Sequence, residues 1–182
     1  LLRKHAKIEP QRWYYHCDKE GILVWQDMVS GGTKYNLLYI GLLATVFEYH
    51  IKDDNESGYK KLARADKEGR DEFENELRVT MNHLKNVVSL AVWVPFNEGW
   101  GQFESVKATE ILKSYDSTRI IDSVSGWHDQ GKNTSDLKSL HIYFTPVKAP
   151  KDDRVVVLSE FGGYSHKKKG HVFSPNKSFG YR

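Results

Sequence analysis

The stretch VWVPFNEGWGQFE, residues 92–104, decides how the rest of the chain is read. It opens as a strand, with Val92, Trp93 and Val94 in an unbroken apolar run, and it breaks at Pro95. Asn97 and Glu98 follow, then Gly99, Trp100 and Gly101. A strand interior buries apolar groups, so an amide and a carboxylate at its end need a partner or a task. This places Glu98 at the rim of a site.

Four other apolar segments share this form. They are ILVWQDM (22–28), RIIDSV (119–124), SLHIYF (139–144) and RVVVLSEF (154–161). Continuous apolar runs suit strands buried on both faces of a parallel sheet. Helical patterns lie between them. Pro10 and Gly21 bracket a helix with Trp13, Tyr14 and Cys17 at helical spacing. Residues 71–86 carry Phe73, Leu77, Met81 and Leu84 on one stripe. A third helix is expected over 102–115, with Phe103, Val106, Ile111, Leu112 and Tyr115 facing in. Residues 29–66 have no clear pattern beyond an apolar patch and IKDDNESGYKK, which reads as a surface loop.

The order helix, strand, helix, strand, helix and three strands predicts an α/β fold with a parallel sheet. An open doubly wound sheet and a (β/α)8 barrel both fit. No glycine-rich phosphate loop follows a strand, which weakens the nucleotide-binding version. Each strand instead ends on polar groups: Asp27, Asn97 with Glu98, Asp122, His141 with Tyr143, and Glu160. In barrels the active site is built at that end.

Composition narrows the partners. The chain has 182 residues, 39% of them hydrophobic and 13% aromatic, enough for one domain with a core. Twenty-seven basic against 24 acidic residues leave a charge of +3. The run Lys167–Lys169 is too short to argue for nucleic acid and reads as a solvated loop. Cys17 alone cannot form an internal disulfide or a cysteine metal cluster. The run at 37–47 is shorter than the ~20 residues of a membrane span. Basic residues stand where a signal peptide would be apolar, and the chain reads as a piece excised from something longer.

NEGW (97–100) and SEFGG (159–163) resemble the two catalytic signatures of glycoside hydrolase family 2, which includes β-galactosidases, β-glucuronidases and β-mannosidases. The resemblance extends to RKHAKIEP (3–10), WYYHCDKEGILVWQDM (13–28), DSVSGW (122–127) and HIYF (141–144). It implies that residues 1–182 are a partial catalytic (β/α)8 barrel, from about strand two or three to strand seven. Such barrels take ~250 residues. It further implies a retaining exo-β-glycosidase, nearest to a β-galactosidase, with glucuronide or mannoside specificity as alternatives. A barrel that binds sugar without cleaving it, and an assembly module that meets another protein, stay open as other classes.

The resemblance also implies roles. Glu98 would be the general acid/base and Glu160 the nucleophile. Glu98 should then have a raised pKa, while Glu160 stays ionised by accepting from Tyr143 and Arg3. Asn97 would bind the sugar 2-hydroxyl. Asp27, His5 and His141 would line the pocket, and Trp100 and Trp127 would offer faces to a sugar ring. No cofactor and no metal are implied. The expected partners are a carbohydrate substrate, β-sandwich domains elsewhere in the protein and a possible second copy, with neither nucleic acid nor membrane. The isolated piece, with open barrel edges, is expected to be poorly active. Trp13, Trp25 and Trp93 are read as packing residues, and His128 and Asp129 as a solvated loop.

Overall fold

The computed structural model describes residues 1–47, 49–163 and 166–172. The apolar runs form strands β1 (Leu2–Lys4), β2 (Val24–Asp27), β3 (Leu90–Val94), β4 (Phe96–Asn97), β5 (Ile120–Ile121), β6 (Val124–Ser125), β7 (Leu137–Ile142) and β8 (Val155–Phe161). Every pairing is parallel. One sheet runs β1-β2-β3-β5, a second pairs β4 with β6, and a third pairs β7 with β8. Pro95 has no N–H for the ladder, so β3 stops and resumes as β4. The lines β3–β4 and β5–β6 therefore lie side by side. Side chains rather than a ladder join β6 to β7, since Ser125 Oγ lies 3.0 Å from His141 Nε2. No pairing joins β8 back to β1 among the described residues, yet Arg3 of β1 reaches Glu160 of β8 at 2.5 Å. Among the described residues the strand array is open, and its two ends face one another.

The central strands β2 and β3 are buried on both faces. On one face Val24, Leu90, Trp93 and Ile121 pack beneath three helices: α1 (Gln11–Glu20), α4 (Lys67–Leu84) and α5 (Ser105–Tyr115). On the other, Trp25, Val92, Val94 and Leu137 form a small layer with Val157. The helices start and stop on local signals. Gly21 takes φ +66°, and Ile22 N–H closes onto Cys17 O at 2.9 Å, which satisfies a terminal carbonyl of α1. The Asp66 carboxylate accepts from Gly69 N–H, so α4 begins at Lys67, earlier than its apolar stripe suggested. Phe73, Leu77, Met81 and Leu84 are all buried, as that stripe requires.

Three expectations need correction. Phe103 and Leu112 are buried and Ile111 packs on the core as expected, but α5 starts at Ser105, its other buried residues are Ser105, Ala108 and Thr109, and Tyr115 is exposed. Small side chains let the helix lie close to the β5–β6 line, where Thr109 Oγ1 donates to Ser123 Oγ at 2.7 Å. The IKDDNESGYKK segment is not a plain surface loop, because Ile51, Asp53 and Tyr59 are buried. It belongs to a stretch with a π-helical turn (Leu38–Leu42), α2 (Leu43–Phe47) and α3 (Glu56–Lys61). Asp53 Oδ2 holds it in place by accepting from Gln102 Nε2 at 2.7 Å and Ser105 N–H at 3.2 Å, at the start of α5. His128 is also buried: its Nδ1 accepts from Ile51 N–H at 3.2 Å.

Residues 126–136 and 143–154 contain no helix, so α/β alternation lapses around β7 and β8. Val155 and Phe161 of β8 are accordingly 65% and 59% exposed. Among the described residues no helix is long and apolar enough to cross a membrane.

Candidate active site

The turn after Pro95 is conformationally specific. Phe96 points into the core, stacked on Phe73 with ring centres 4.9 Å apart. Glu98 then takes φ +52°, a left-handed conformation that costs a non-glycine residue about 1–3 kcal/mol. Its N–H donates to Ser125 O at 2.9 Å, which ties the strained residue to β6. Gly126 follows Ser125 with φ +88°, and a Cβ there would come within 2.6 Å of His141 Nδ1. Only glycine lets the imidazole lie so close to that backbone.

Eight of the predicted residues form one hydrogen-bonded network. Arg3 donates from Nε and Nη2 to the two oxygens of Asp27 at 3.0 and 2.9 Å. It also donates to Asn97 Oδ1 at 2.8 Å and to Glu160 Oε1 at 2.5 Å. The Tyr143 hydroxyl lies 2.6 Å from Glu98 Oε1 and 2.6 Å from Glu160 Oε2. His141 Nδ1 lies 2.6 Å from Glu98 Oε1. His5 joins through Nδ1, 2.7 Å from Asp27 Oδ2, with its ring half exposed. Oxygens of Glu98 and Glu160 stand within 4.8 Å of one another and of a His141 nitrogen.

The electrostatics follow from these contacts. Burial pushes the Glu98 carboxyl up, but hydrogen bonds from His141 and Tyr143, with the charge of the imidazole, outweigh it and leave the pKa below the usual range. The expectation of a raised value does not hold, because two donors converge on Oε1. Burial and the two carboxylates push the Tyr143 phenol far up, so it keeps its proton. The hydrogen bond to Asp27 raises His5, against the effect of burial. Arg3 is raised, the attraction of Asp27 and Glu160 exceeding the cost of burial.

A cavity of about 290 Å³ opens over this network, lined by His5, Asp27, Asn97, Glu98, Trp100 and Glu160 among others. Trp100 stands edge-on to Tyr35, and its Nε1 is 3.4 Å from Glu98 Oε2. Trp127 lines a different cavity of about 690 Å³ with Tyr49, Phe144 and Lys148, and that cavity shares only His141 and Tyr143 with the network. Trp127 nevertheless stands edge-on to His141 and Tyr143, ring centres 6.4 and 6.1 Å away, so both tryptophans border the network. Trp25 and Trp93 are buried packing residues, as read.

Glu98, His141 and Glu160 could also reach a single divalent cation. Arg3 already supplies positive charge at Glu160, and a phenol lies between the carboxylates, so the set is better suited to a carboxylate pair with its donors. Ser125 and Ser159, whose hydroxyls lie 3.2 Å apart beneath His141, were not anticipated. Their only signal was a small polar residue at an inward strand position.

No protein-family model matches the chain, and no curated protein sequence matches it. Solved structures do. A GH2 β-galacturonidase from Eisenbergiella tayi, bound to galacturonate, aligns with a TM-score of 0.57 at 16% identity over 93% of this chain and 31% of that one. A β-D-glucuronidase from Dictyoglomus thermophilum aligns at 0.56 and 15% identity, over 88% and 30%. A β-glucuronidase from an uncultured Clostridium aligns at 0.50 and 14% identity, over 78% and 22%. The likeness is one of fold. The chain spans less than a third of the length of these structures.

Proposed function

We propose that this chain is the catalytic part of a retaining β-glycosidase of the family 2 type, its open strand array being part of a (β/α)8 barrel. The observation that carries the reading is the pair Glu98 and Glu160, oxygens within 4.8 Å and one phenol between them. Retaining enzymes hold their carboxyl groups ~5–5.5 Å apart, and inverting ones ~6.5–9.5 Å. The names of the structural neighbours support a glycoside as substrate.

Glu160 attacks the anomeric carbon as the glycosidic bond breaks, and the Glu98 proton passes to the departing oxygen. Water then attacks the same carbon, Glu98 takes its proton, and Glu160 is released. Arg3 and Tyr143 hold the Glu160 carboxylate in place. The phenol has one proton for two 2.6 Å contacts, so when it donates to Glu160 its oxygen faces Glu98 as an acceptor. In that arrangement Glu98 loses one of the two donors that lower its pKa, which eases the protonation the acid step needs. Asn97 Oδ1 is engaged by Arg3, which leaves its NH2 group for the sugar 2-hydroxyl. Asp27 and His5 face the remaining hydroxyls.

The sugar favoured by this lining is neutral, with β-galactosides the first to test. Among the described residues neither lysine nor arginine lines the smaller cavity, while Asp27, Glu98 and Glu160 do. A uronide is the second reading, favoured by the substrates named for the neighbours. It would need a cation to meet the sugar carboxylate, and among the described residues the neighbouring larger cavity offers Lys148. The test is inactivation of the full-length protein by a 2-deoxy-2-fluoro-β-galactoside with an activated leaving group, followed by peptide mass mapping. The expected result is one added sugar on the peptide containing Glu160. Labelling only by the glucuronic acid counterpart would select the second reading, and label on any other residue would overturn the assignment.

A further inference from the structure

Two cavities meet beside Glu98. The smaller, of about 290 Å³, is lined by Asn97, Asp27 and His5, the groups assigned to the sugar hydroxyls. The larger, of about 690 Å³, begins at His141 and Tyr143 and has no role in holding that sugar. His141 and Tyr143 each reach Glu98 Oε1 at 2.6 Å, so the partners of the acid are also walls of the larger cavity. A glycosidic oxygen protonated by Glu98 joins a sugar in the first cavity to a group beyond the acid. The larger cavity is the space available to that group, and its volume is that of a site for an organic ligand.

Its wall is a row of rings that starts at the catalytic phenol. Trp127 stands edge-on to Tyr143 with ring centres 6.1 Å apart, and Tyr143 stands edge-on to Phe144 at 6.3 Å. Phe144 is 69% exposed and lines the same cavity. The polar side chains there are mostly turned to one another. Asp129 Oδ2 accepts from Lys138 at 3.0 Å and from Arg154 at 2.7 Å. His50 Nε2 lies 2.8 Å from Asp129 O, and Ser139 Oγ donates to Asp122. Left over among the described residues are chiefly Thr145, Lys148, the Tyr49 hydroxyl and the Trp127 N–H. A second sugar would press several hydroxyls against this wall, and each one left unpaired costs about 1–3 kcal/mol. A flat apolar ring needs no such partners and gains offset or edge-to-face contacts with the rings already there.

We propose that the larger cavity binds the leaving group and that this group is aromatic: the substrate class is an aryl β-glycoside whose aryl ring packs on Trp127, Tyr143 and Phe144. The inference deepens the glycosidase reading and rests on it. As the glycosidic bond breaks, Glu160 bonds to the anomeric carbon, the oxygen takes the Glu98 proton, and the product departs as a neutral phenol. The loop that presents Phe144 contains no helix, and Pro146 and Pro150 within it fix two φ angles. Less chain freedom is then lost when the ring is covered.

The test compares two substrates of one sugar in the full-length protein. 4-Methylumbelliferyl β-galactoside carries an aryl leaving group, whereas the leaving group of β-galactosyl fluoride is too small to fill the larger cavity. The glucuronic acid pair replaces them if the labelling experiment selects it. Trp127→Ala and Phe144→Ala are each expected to lower kcat/KM for the aryl substrate, relative to the fluoride, by about tenfold. An equal loss on both substrates, or none on either, overturns the proposal, since a structural role or a place in the sugar cavity would act on both alike. So does a β-linked disaccharide hydrolysed with a higher kcat/KM than the aryl glycoside, which would make the leaving group a sugar. Binding of free 4-methylumbelliferone, followed by NMR titration, needs no turnover. It is expected in the wild type and should weaken about tenfold in both variants; no binding, or equal binding in all three proteins, overturns the proposal. If Trp127→Ala does not fold, Phe144→Ala, altered at an exposed position, carries both measurements. A wild type that hydrolyses neither substrate would refute the glycosidase reading and with it the leaving-group role, and the umbelliferone titration would then decide by itself whether the cavity takes an aromatic ligand.

Discussion

Tyr143 and Arg3 show what single residues contribute here. Arg3 spreads four hydrogen bonds over Asp27, Asn97 and Glu160, a fork geometry that lysine cannot copy. Tyr143 holds one phenolic proton between two carboxylates. Tyr143→Phe keeps the ring and loses that proton, so kcat should fall about a hundredfold, the scale of losing one transition-state donor. Steady-state kinetics of the full-length protein checks this, and a loss confined to KM would contradict it. Glu160→Gln should lower kcat by on the order of a thousandfold or more. Calorimetric titration with the substrate should show binding retained in that variant. At this scale the residue types and their order were readable, because Glu98, Glu160, Asn97 and Tyr143 all lie at the ends of apolar runs. The ring contacts of Trp100 with Tyr35 and of Trp127 with His141 and Tyr143 were not, since which way a ring leans depends on neighbours distant in the chain.

At the level of elements, the loop before α3 is clamped onto the loop after β6. His128 accepts from Ile51 N–H and packs against Gly99, so the clamp touches the turn that carries Glu98. Burial, with the neighbouring His50, lowers the His128 pKa from 6.5 to about 4. A depressed histidine is neutral in the fold and protonates more readily when unfolded. Stability should therefore be intact above pH 6.5 and decline as pH falls to about 4, by about 3 kcal/mol at most. His128→Gln keeps an acceptor and cannot titrate in that range, so it should flatten the dependence of melting temperature on pH between 4 and 6.5. An unchanged slope would assign the acid sensitivity to other groups. The burial of His128 and Asp53 was hidden from the sequence because both sit in polar stretches without periodicity. The stripe of α4 was legible for the opposite reason.

At the scale of the whole molecule, the strand array is open among the described residues, and β8 presents an apolar outer edge with Val155 65% exposed. Unpaired edges template association with another chain. The isolated 182-residue chain should therefore self-associate, and Val155→Lys should lower its apparent mass in light scattering without changing its circular dichroism. Equal masses for the two would show that the edge is not the contact. The same openness accounts for the partial exposure of the Glu160 side chain, at 30%, against 12% for Glu98.

The sequence by itself determined the parallel α/β class, the helix stripes and the strand ends where polar groups gather. These depend on periodicity and local signals, which act within one or two turns of chain. Only the tertiary structure decided that Arg3 and Glu160, from opposite ends of the array, meet at 2.5 Å, and that Glu98 carries a lowered rather than a raised pKa. Only it brought the buried Asp122 against Ser139 of β7. The reason is that a pKa reflects desolvation and charges a few ångströms away, and those distances exist only once strands far apart in sequence have packed together.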